Sequence, residues 1–394
     1  MLVGKRRALI VAGESSGDLH GGNLLKAASR IDPDLEFFGV GGARMKQAGC
    51  RLLFSSAELS VMGLVEVVAH LPRIVTRYRQ LKTILRSDQR PDLLVLIDFP
   101  DFNLRLAKVA KKSGVPVLYY ISPKVWAWRR GRIKTIGARV DRLALIFPFE
   151  PELFKKQPVE AVYVGNPLLD EFAERPKERS LRDTLEIDHA SQIVGLFPGS
   201  RSSEVKYIFE TLLESAMKIQ QSKPDVVFLL PVAPSLHEGD FEKALKGSKL
   251  NIVLVKENIY DVASACDAVL TVSGTVTLQV ALSGTPMTVL YKASPLTYAV
   301  GSRLVQIPYF SLVNIVAGKQ VVREFLQDAA DADALSGEIL NLLDDQAYAA
   351  KIRSALKDVQ ELMGSAGCSK RVARIATEMS RGHRHSIEFK KESA

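Results

Sequence analysis

The sequence predicts an α/β protein built from two doubly wound domains that face a cleft. Three observations lead there. Short apolar runs alternate with longer stretches of helical periodicity, the pattern of parallel strands covered on both faces. Turns rich in Gly, Ser and Asp stand where the apolar runs end. The alternation runs once, meets a charged segment at 171–181 that carries Pro176, and starts again, which reads as two domains joined by a linker.

A chain of 394 residues is long enough for two sizeable cores. Its 47% hydrophobic and 25% charged residues are an ordinary globular balance. The net charge of +9 favours anionic partners: phosphorylated substrates, an anionic membrane face or nucleic acid. No nucleic-acid motif accompanies the charge, and the basic residues form no long run before the C-terminus, so nucleic acid is set aside. Cys50, Cys266 and Cys368 are far apart and have no metal or disulfide spacing, which points to a reducing compartment. No apolar run approaches the ~20 residues of a membrane span, so a soluble or peripheral protein is expected.

The first strand is Ala8–Ala12. The turn Gly13-Glu14-Ser15-Ser16-Gly17-Asp18 follows and leads into a helix with Leu19, Leu24, Leu25 and Ala28 on its apolar face. The turn is glycine-rich but lacks the GxGxxG spacing, so it does not indicate a dinucleotide. His20, just inside the helix, reads as a surface or capping residue. Leu35–Val40 is the second strand. The segment 59–74 is unusually apolar for a connection, holding Val61, Met62, Leu64, Val65 and Val68, with Arg73, Arg77, Arg79 and Lys82 after it. It is either a buried helix or an apolar patch suited to an anionic membrane or acyl chains, and sequence alone favours burial.

Leu93–Ile97 is a buried strand ending in Asp98-Phe99-Pro100-Asp101-Phe102-Asn103. Ligand sites in such sheets lie at the carboxyl ends of strands. Asp98, nearest the strand end, is the candidate general base; Asp101 serves equally as a cap for the helix that follows. After the strand Val115–Tyr120 comes a loop with both tryptophans, Trp126 and Trp128, which read as core anchors.

In the second half, the strand Ile193–Phe197 ends in Pro198-Gly199-Ser200-Arg201 and a helix start at 202–204. Unpaired N–H groups, a helix dipole and a planar guanidinium meet there, which reads as a cradle for a diphosphate or as an ordinary βα turn with an exposed arginine. Ser273-Gly274-Thr275 opens another helix after the strand near 267–271, and should lie beside the first cradle at the same sheet edge. A diphosphate held by helix dipole and arginine needs no obligatory metal, and no Asp-x-Asp pair stands beside the cradle; no metal and no cofactor are expected. His383 and His385 in the tail are too weak a motif for a metal.

Ten collinear blocks carry a family resemblance: AGESSGDLHGG (12–22), GVGG (39–42), VMGLVEV (61–67), IDFPDFN (97–103), YISPKVWAWR (120–129), FPFE (147–150), FPGSRSSE (197–204), SGTVTL (273–278), YKASPLTY (291–298) and NIVAG (314–318). Over nearly its whole length the chain resembles the lipid-A-disaccharide synthases. The resemblance implies a GT-B fold with 1–168 as acceptor and membrane-contact domain and 169–345 as UDP-sugar donor domain. Helices within 346–380 would pack back on the first domain, and the tail 381–394 would be disordered. It implies an inverting hexosyltransferase that joins UDP-2,3-diacylglucosamine to 2,3-diacylglucosamine 1-phosphate (lipid X), forming a β-1,6 linkage and UDP.

The resemblance carries Asp98 over as base, Arg201 as diphosphate partner and Asn314 as a neighbour of the nucleotide. Gly199, Ser200, Ser273, Gly274, Thr275 and Gln279 join them on the donor side. Glu14, Ser16, Asp18, Asp101 and Asn103 are the acceptor-side candidates. Because both substrates are lipids, it favours membrane contact through Val61, Met62, Leu64, Val65 and Val68, on the cytoplasmic face of the inner membrane of a Gram-negative bacterium. A homo-oligomer is compatible with all of this. Gln279 stands where the family usually has Glu, removing a charge from the expected ribose contact, and Asn166 replaces a usual His. Two alternatives stay open: another UDP-sugar enzyme of this fold, an epimerase or a transferase with a soluble acceptor, and a membrane-surface protein without catalysis.

Overall fold

The computed structural model describes residues 5–59, 64–175, 180–200, 202–294, 298–299 and 307–392; for 64–70, 202–204 and 383–392 only the backbone is described. The chain divides into two compact units, 1–170 with 366–394, and 171–365.

In the first unit β1 (Arg6–Ala12), α1 (Ser15–Ile31), β2 (Leu35–Gly41), α2 (Ala43–Gln47), β3 (Arg51–Ser55), α3 (Leu64–Arg86), β4 (Leu93–Ile97), α4 (Pro100–Lys112), β5 (Val117–Tyr120), α5 (Arg132–Arg139), β6 (Arg142–Leu145), α6 (Glu150–Phe154) and β7 (Glu160–Tyr163) alternate. The strands form one parallel sheet in the order β3-β2-β1-β4-β5-β6-β7. Both faces are covered, which is why the strands read as unbroken apolar runs. Leu9, Val11, Leu94 and Leu96 point to one core with Leu81, Leu85 and Phe102. Ala8, Ile10, Val95 and Ile97 point to the other with Leu24 and Ala28.

α7 (Pro167–Glu174) leads into the second unit, and the division falls inside it, after Asp170. There follow α8 (Leu181–Thr184), β8 (Ile193–Phe197), α9 (Ser202–Ser222), β9 (Val227–Pro231), α10 (Glu238–Leu245), β10 (Ile252–Val255), α11 (Ile259–Ala265), β11 (Ala268–Val272), α12 (Thr275–Ser283), β12 (Met287–Tyr291), α13 (Leu312–Ala317), β13 (Glu324–Leu326), α14 (Ala332–Asp344) and α15 (Gln346–Met363). Its parallel sheet has the order β10-β9-β8-β11-β12-β13. Each sheet thus reverses strand order once, between β1 and β4 and between β8 and β11. Such switch points leave a crevice outside the strands' carboxyl ends.

Two expectations about the C-terminus are corrected. α15 stays with the second unit. Its apolar stripe, including Ile352, Leu356 and Val359, is buried there, and Gln360 donates from Nε2 to the carbonyl of Ala281 at 2.7 Å. The return to the first unit begins only at 366, with α16 (Cys368–Glu392), whose Cys368, Val372, Ala373 and Ala376 join Leu24 and Ala28 in the core. The Asp170 carboxylate accepts the N–H groups of Gly367, Cys368 and Ser369, capping the start of that helix. The tail also departs from expectation: the helical backbone continues through Glu392. Adding residues to an anchored helix avoids the cost of nucleation, so a polar composition does not stop it.

Candidate functional site

At the switch point of the first sheet, β1 and β4 end side by side, with Ala12 opposite Ile97. The turn after β1 passes close beneath the turn after β4. A Cβ on Gly13 would lie 2.4 Å from the Phe99 ring, so only glycine fits there. Glu14 and Ser16 are exposed at the start of α1. Asp18 turns the other way. It is buried, and its carboxylate accepts the N–H groups of Gly42 (2.6 Å), Arg44 (3.1 Å) and Met45 (3.0 Å). Asp18 therefore holds the start of α2 rather than presenting a free carboxylate.

Asp98 and Phe99 both take left-handed backbone conformations, with φ of 44° and 47°. Each such non-glycine residue costs roughly 1–2 kcal/mol, so the surrounding structure must hold the turn. The carbonyl of Asp98 accepts from the Tyr119 hydroxyl (2.6 Å) and from Nδ2 of Asn103 (2.8 Å). Burial, then the charge of Glu14, raise the Asp98 carboxyl from 3.8 to about 6, against the opposing influence of the Phe99 N–H and of Lys124. A carboxyl poised there can take a proton near neutral pH. Asp101 is exposed, and pairs with Arg132 and, at 3.5 Å, with Arg129. Asn103 is fully buried beneath the turn.

The loop after β5 supplies groups that sequence reasoning missed. Lys124 acts on both Asp98 and Glu150. Glu150 is buried, and that burial pushes it up to about 7, although it accepts the N–H groups of Phe147 (3.0 Å) and Ile146 (3.2 Å). Of the two tryptophans only Trp126 is an anchor, edge-on to Phe147 and Phe149. Trp128 is 40% exposed beneath the Arg129 guanidinium, 4.5 Å from its ring centre. His20 is half-buried: burial and then Arg44 lower it to about 4, and its ring stands edge-on to Tyr120.

In the second unit Phe197 pairs with Thr271, so the turns leaving β8 and β11 lie next to each other. Gly199 has φ 91° and Gly274 φ 151°, backbone open to glycine. α9 and α12 start immediately beyond. Two adjacent helix N-termini favour an anion. Arg201 lies outside the described residues. Ser200 is exposed, with its carbonyl taking the Ser235 hydroxyl at 2.6 Å, and Thr275 is exposed at the first position of α12. Ser273 donates its hydroxyl to the Phe310 carbonyl at 2.7 Å. Gln279 hydrogen-bonds the Tyr260 side chain.

Asn314 does not present its amide to a ligand. Fully buried, it donates to the Val322 carbonyl (2.9 Å) and to Glu324 (2.7 Å), and accepts from the N–H groups of Val321 (2.7 Å) and Val322 (3.0 Å). All four of its bonds hold the loop before β13. Val61 and Met62 lie outside the described residues, as do the side chains of Leu64, Val65 and Val68. The next residues at the same helical spacing, Leu71 and Val75, are 51% and 37% exposed. Among the described residues no helix is long and apolar enough to cross a membrane.

A family profile described as Lipid-A-disaccharide synthetase matches residues 8–377. The lipid-A-disaccharide synthase of Syntrophotalea carbinolica is 54% identical over 376 residues, covering 95% of this chain and 96% of its own. That of Geobacter sulfurreducens is 49% identical over 373 residues, covering 95% and 97%. Among solved structures, a putative UDP-N-acetylglucosamine 2-epimerase from Listeria monocytogenes superposes with a TM-score of 0.61 at 15% identity, covering 93% of this chain and 95% of its own. A UDP-glucosyltransferase from Polygonum tinctorium gives 0.61 at 15%, covering 97% and 100%. At such identities the structures speak for the fold alone, an α/β fold of the GT-B type. The match of profile and relatives over almost the whole length decides the family: the chain is a glycosyltransferase of lipid A synthesis and belongs to the lipid-A-disaccharide synthases.

Proposed function

We propose that the enzyme transfers the diacylglucosamine of UDP-2,3-diacylglucosamine to the 6-hydroxyl of lipid X. Asp98 takes the proton of that hydroxyl as its oxygen bonds to the anomeric carbon from the face opposite UDP. The bond from that carbon to the diphosphate breaks, its electron pair leaves with UDP, and the product is the β-1,6 disaccharide 1-phosphate. Charge grows on the leaving diphosphate, so donors aimed at it stabilise the transition state more than the ground state. Arg201 and the N-termini of α9 and α12 take that role, with Gly199, Ser200, Ser273, Gly274 and Thr275 forming the turns and Gln279 and Asn314 supporting the nucleotide side. Glu14, Ser16 and Asp101 surround the acceptor end, and the buried Asp18 and Asn103 shape it. One observation carries the reading most: Asp98 is a carboxyl raised to about 6 at a switch point, where a base for a sugar hydroxyl belongs.

The substrates are lipids, so the enzyme works on an anionic membrane surface, the cytoplasmic face of the inner membrane. Val61, Met62, Leu64, Val65 and Val68 make the contact, continued by the exposed Leu71 and Val75. The net charge of +9 supports it. Mass spectrometry of products after incubation with the two lipids in mixed micelles tests the reaction. A disaccharide 1-phosphate formed together with UDP is expected. Epimerised UDP-sugar, or UDP release without a disaccharide, would overturn it.

A further inference from the structure

Asp98 stands on a backbone that resists its own conformation. Two successive residues with side chains are left-handed; Asp is tolerated there, but the bulky Phe99 is not, and a pair in succession is strained. Phe99 keeps its large ring against Gly13. What opposes relaxation is a pair of buried donors. Tyr119 is fully buried on β5, next to β4, and its hydroxyl meets the Asp98 carbonyl at 2.6 Å. Asn103, fully buried on α4, gives both Nδ2 hydrogens away, one to the Asp98 carbonyl at 2.8 Å and one to the Ile97 carbonyl at 3.2 Å. Its Oδ1 is buried without a partner. Flipping the amide would set that oxygen against two carbonyls, so the orientation is fixed by donation, at the expense of an unpaired acceptor.

We propose that Tyr119 and Asn103 are positioning residues for the transfer, a two-donor clamp on the Asp98 carbonyl that locks the left-handed turn and keeps the Asp98 carboxyl beside Glu14 and Lys124. The proposal rests on the reading of Asp98 as base. With the clamp released, the turn relaxes to ordinary backbone and the carboxyl swings away from its half-buried seat. The groups that face it are Glu14 from the β1–α1 turn, Lys124 from the β5–α5 loop, the Tyr119 hydroxyl from β5 and the N–H of Phe99 in its own turn. Leaving that seat removes the burial and the Glu14 charge that hold its titration high, so it falls from about 6 toward 3.8.

Two variants test this in the full-length enzyme. Tyr119→Phe deletes one oxygen and keeps the ring, and Asn103→Ser is the second variant in case the first fails to fold. Two readouts are taken: steady-state kinetics against pH, and the titration of the Asp98 carboxyl by carbon NMR with labelled aspartate, assigned by its disappearance in Asp98→Asn. We expect kcat to fall at least tenfold, KM for the UDP-sugar to stay within twofold, and the carboxyl to titrate about one unit or more lower. An unchanged titration overturns the clamp, even where kcat falls, since lost packing alone would do that. Should the parent enzyme form no disaccharide, the function reading fails by itself, and the titration still decides the clamp: a downward shift supports it and no shift overturns it.

Discussion

Asp98 shows how a single residue's surroundings set its chemistry. Its carboxyl titrates higher in the fold than its ordinary 3.8, at about 6. The neutral form is therefore favoured by folding. That stabilisation is complete below pH 4 and is lost as the pH rises through 6. In its proposed role as base Asp98 needs the opposite form, so kcat/KM should climb along an acid limb near pH 6. Asp98→Asn should lower kcat by roughly 10²–10⁴-fold, the usual share of a general base, with UDP affinity nearly unchanged. The same variant should unfold at a higher temperature than the parent at pH 7.5, with the difference vanishing below pH 4. If Asp98→Asn stays fully active, Glu14 or Asp101 becomes the base to test. Arg201→Ala, in contrast, should reduce kcat and also weaken UDP binding measured by calorimetry, since in the proposed role it meets the diphosphate before and during bond breaking. Asp98 could be read from its place at a strand end. The clamp below it could not, because Tyr119 reads as one more apolar strand residue until α4 brings Asn103 beside the same carbonyl.

At the scale of the element, α3 mixes two habits. Ile74, Tyr78, Leu81 and Leu85 pack on the core, while Leu71 and Val75 are exposed, with Arg79 one turn beyond Val75. Exposed side chains can be exchanged without opening a cavity, unlike buried ones. Leu71→Ser with Val75→Ser should leave the melting temperature within about 2 °C of the parent. It should lower sedimentation with vesicles containing anionic phospholipid and raise the apparent acceptor KM. Unaltered vesicle binding would remove this stretch of α3 from the contact. The periodicity of α3 was legible. Which of its faces stays uncovered was not, because the valine-rich sequence satisfies a buried helix equally well.

For the whole molecule, the instructive feature is the last helix. α16 is more than two hundred positions from the sheet it covers, yet it fills one core of the first unit and ties its surface by the Arg142–Glu378 pair at 2.8 Å and by Arg6, which meets Ser380 at 3.1 Å and Asp32 at 2.7 Å. Deleting residues 366–394 should expose Leu24 and Ala28 and lower the first unit's melting temperature by about 10 °C, as expected for a loss of roughly 3–5 kcal/mol. Calorimetry should find the transition of the second unit unmoved. A first transition equally unmoved would mean that the sheet is complete without α16.

By itself the sequence determined the α/β class, the two successive runs of strands and helices, and the strand ends where chemistry gathers. These are local facts, written in apolar runs and in Gly, Ser and Asp turns that only certain backbones accept. The collinear blocks added the family. Tertiary structure alone decided which candidates are free to act. It spent Asp18 on capping α2 and Asn314 on bracing a loop, because a buried polar atom takes whatever partner the fold brings. It left Asp98 half buried beside another carboxylate, and so gave it a titration near neutrality. It also decided that α15 stays and α16 returns. An apolar stripe states that a helix must be covered and does not say by what, since burial is non-directional and the partner is chosen by the topology of the rest of the chain.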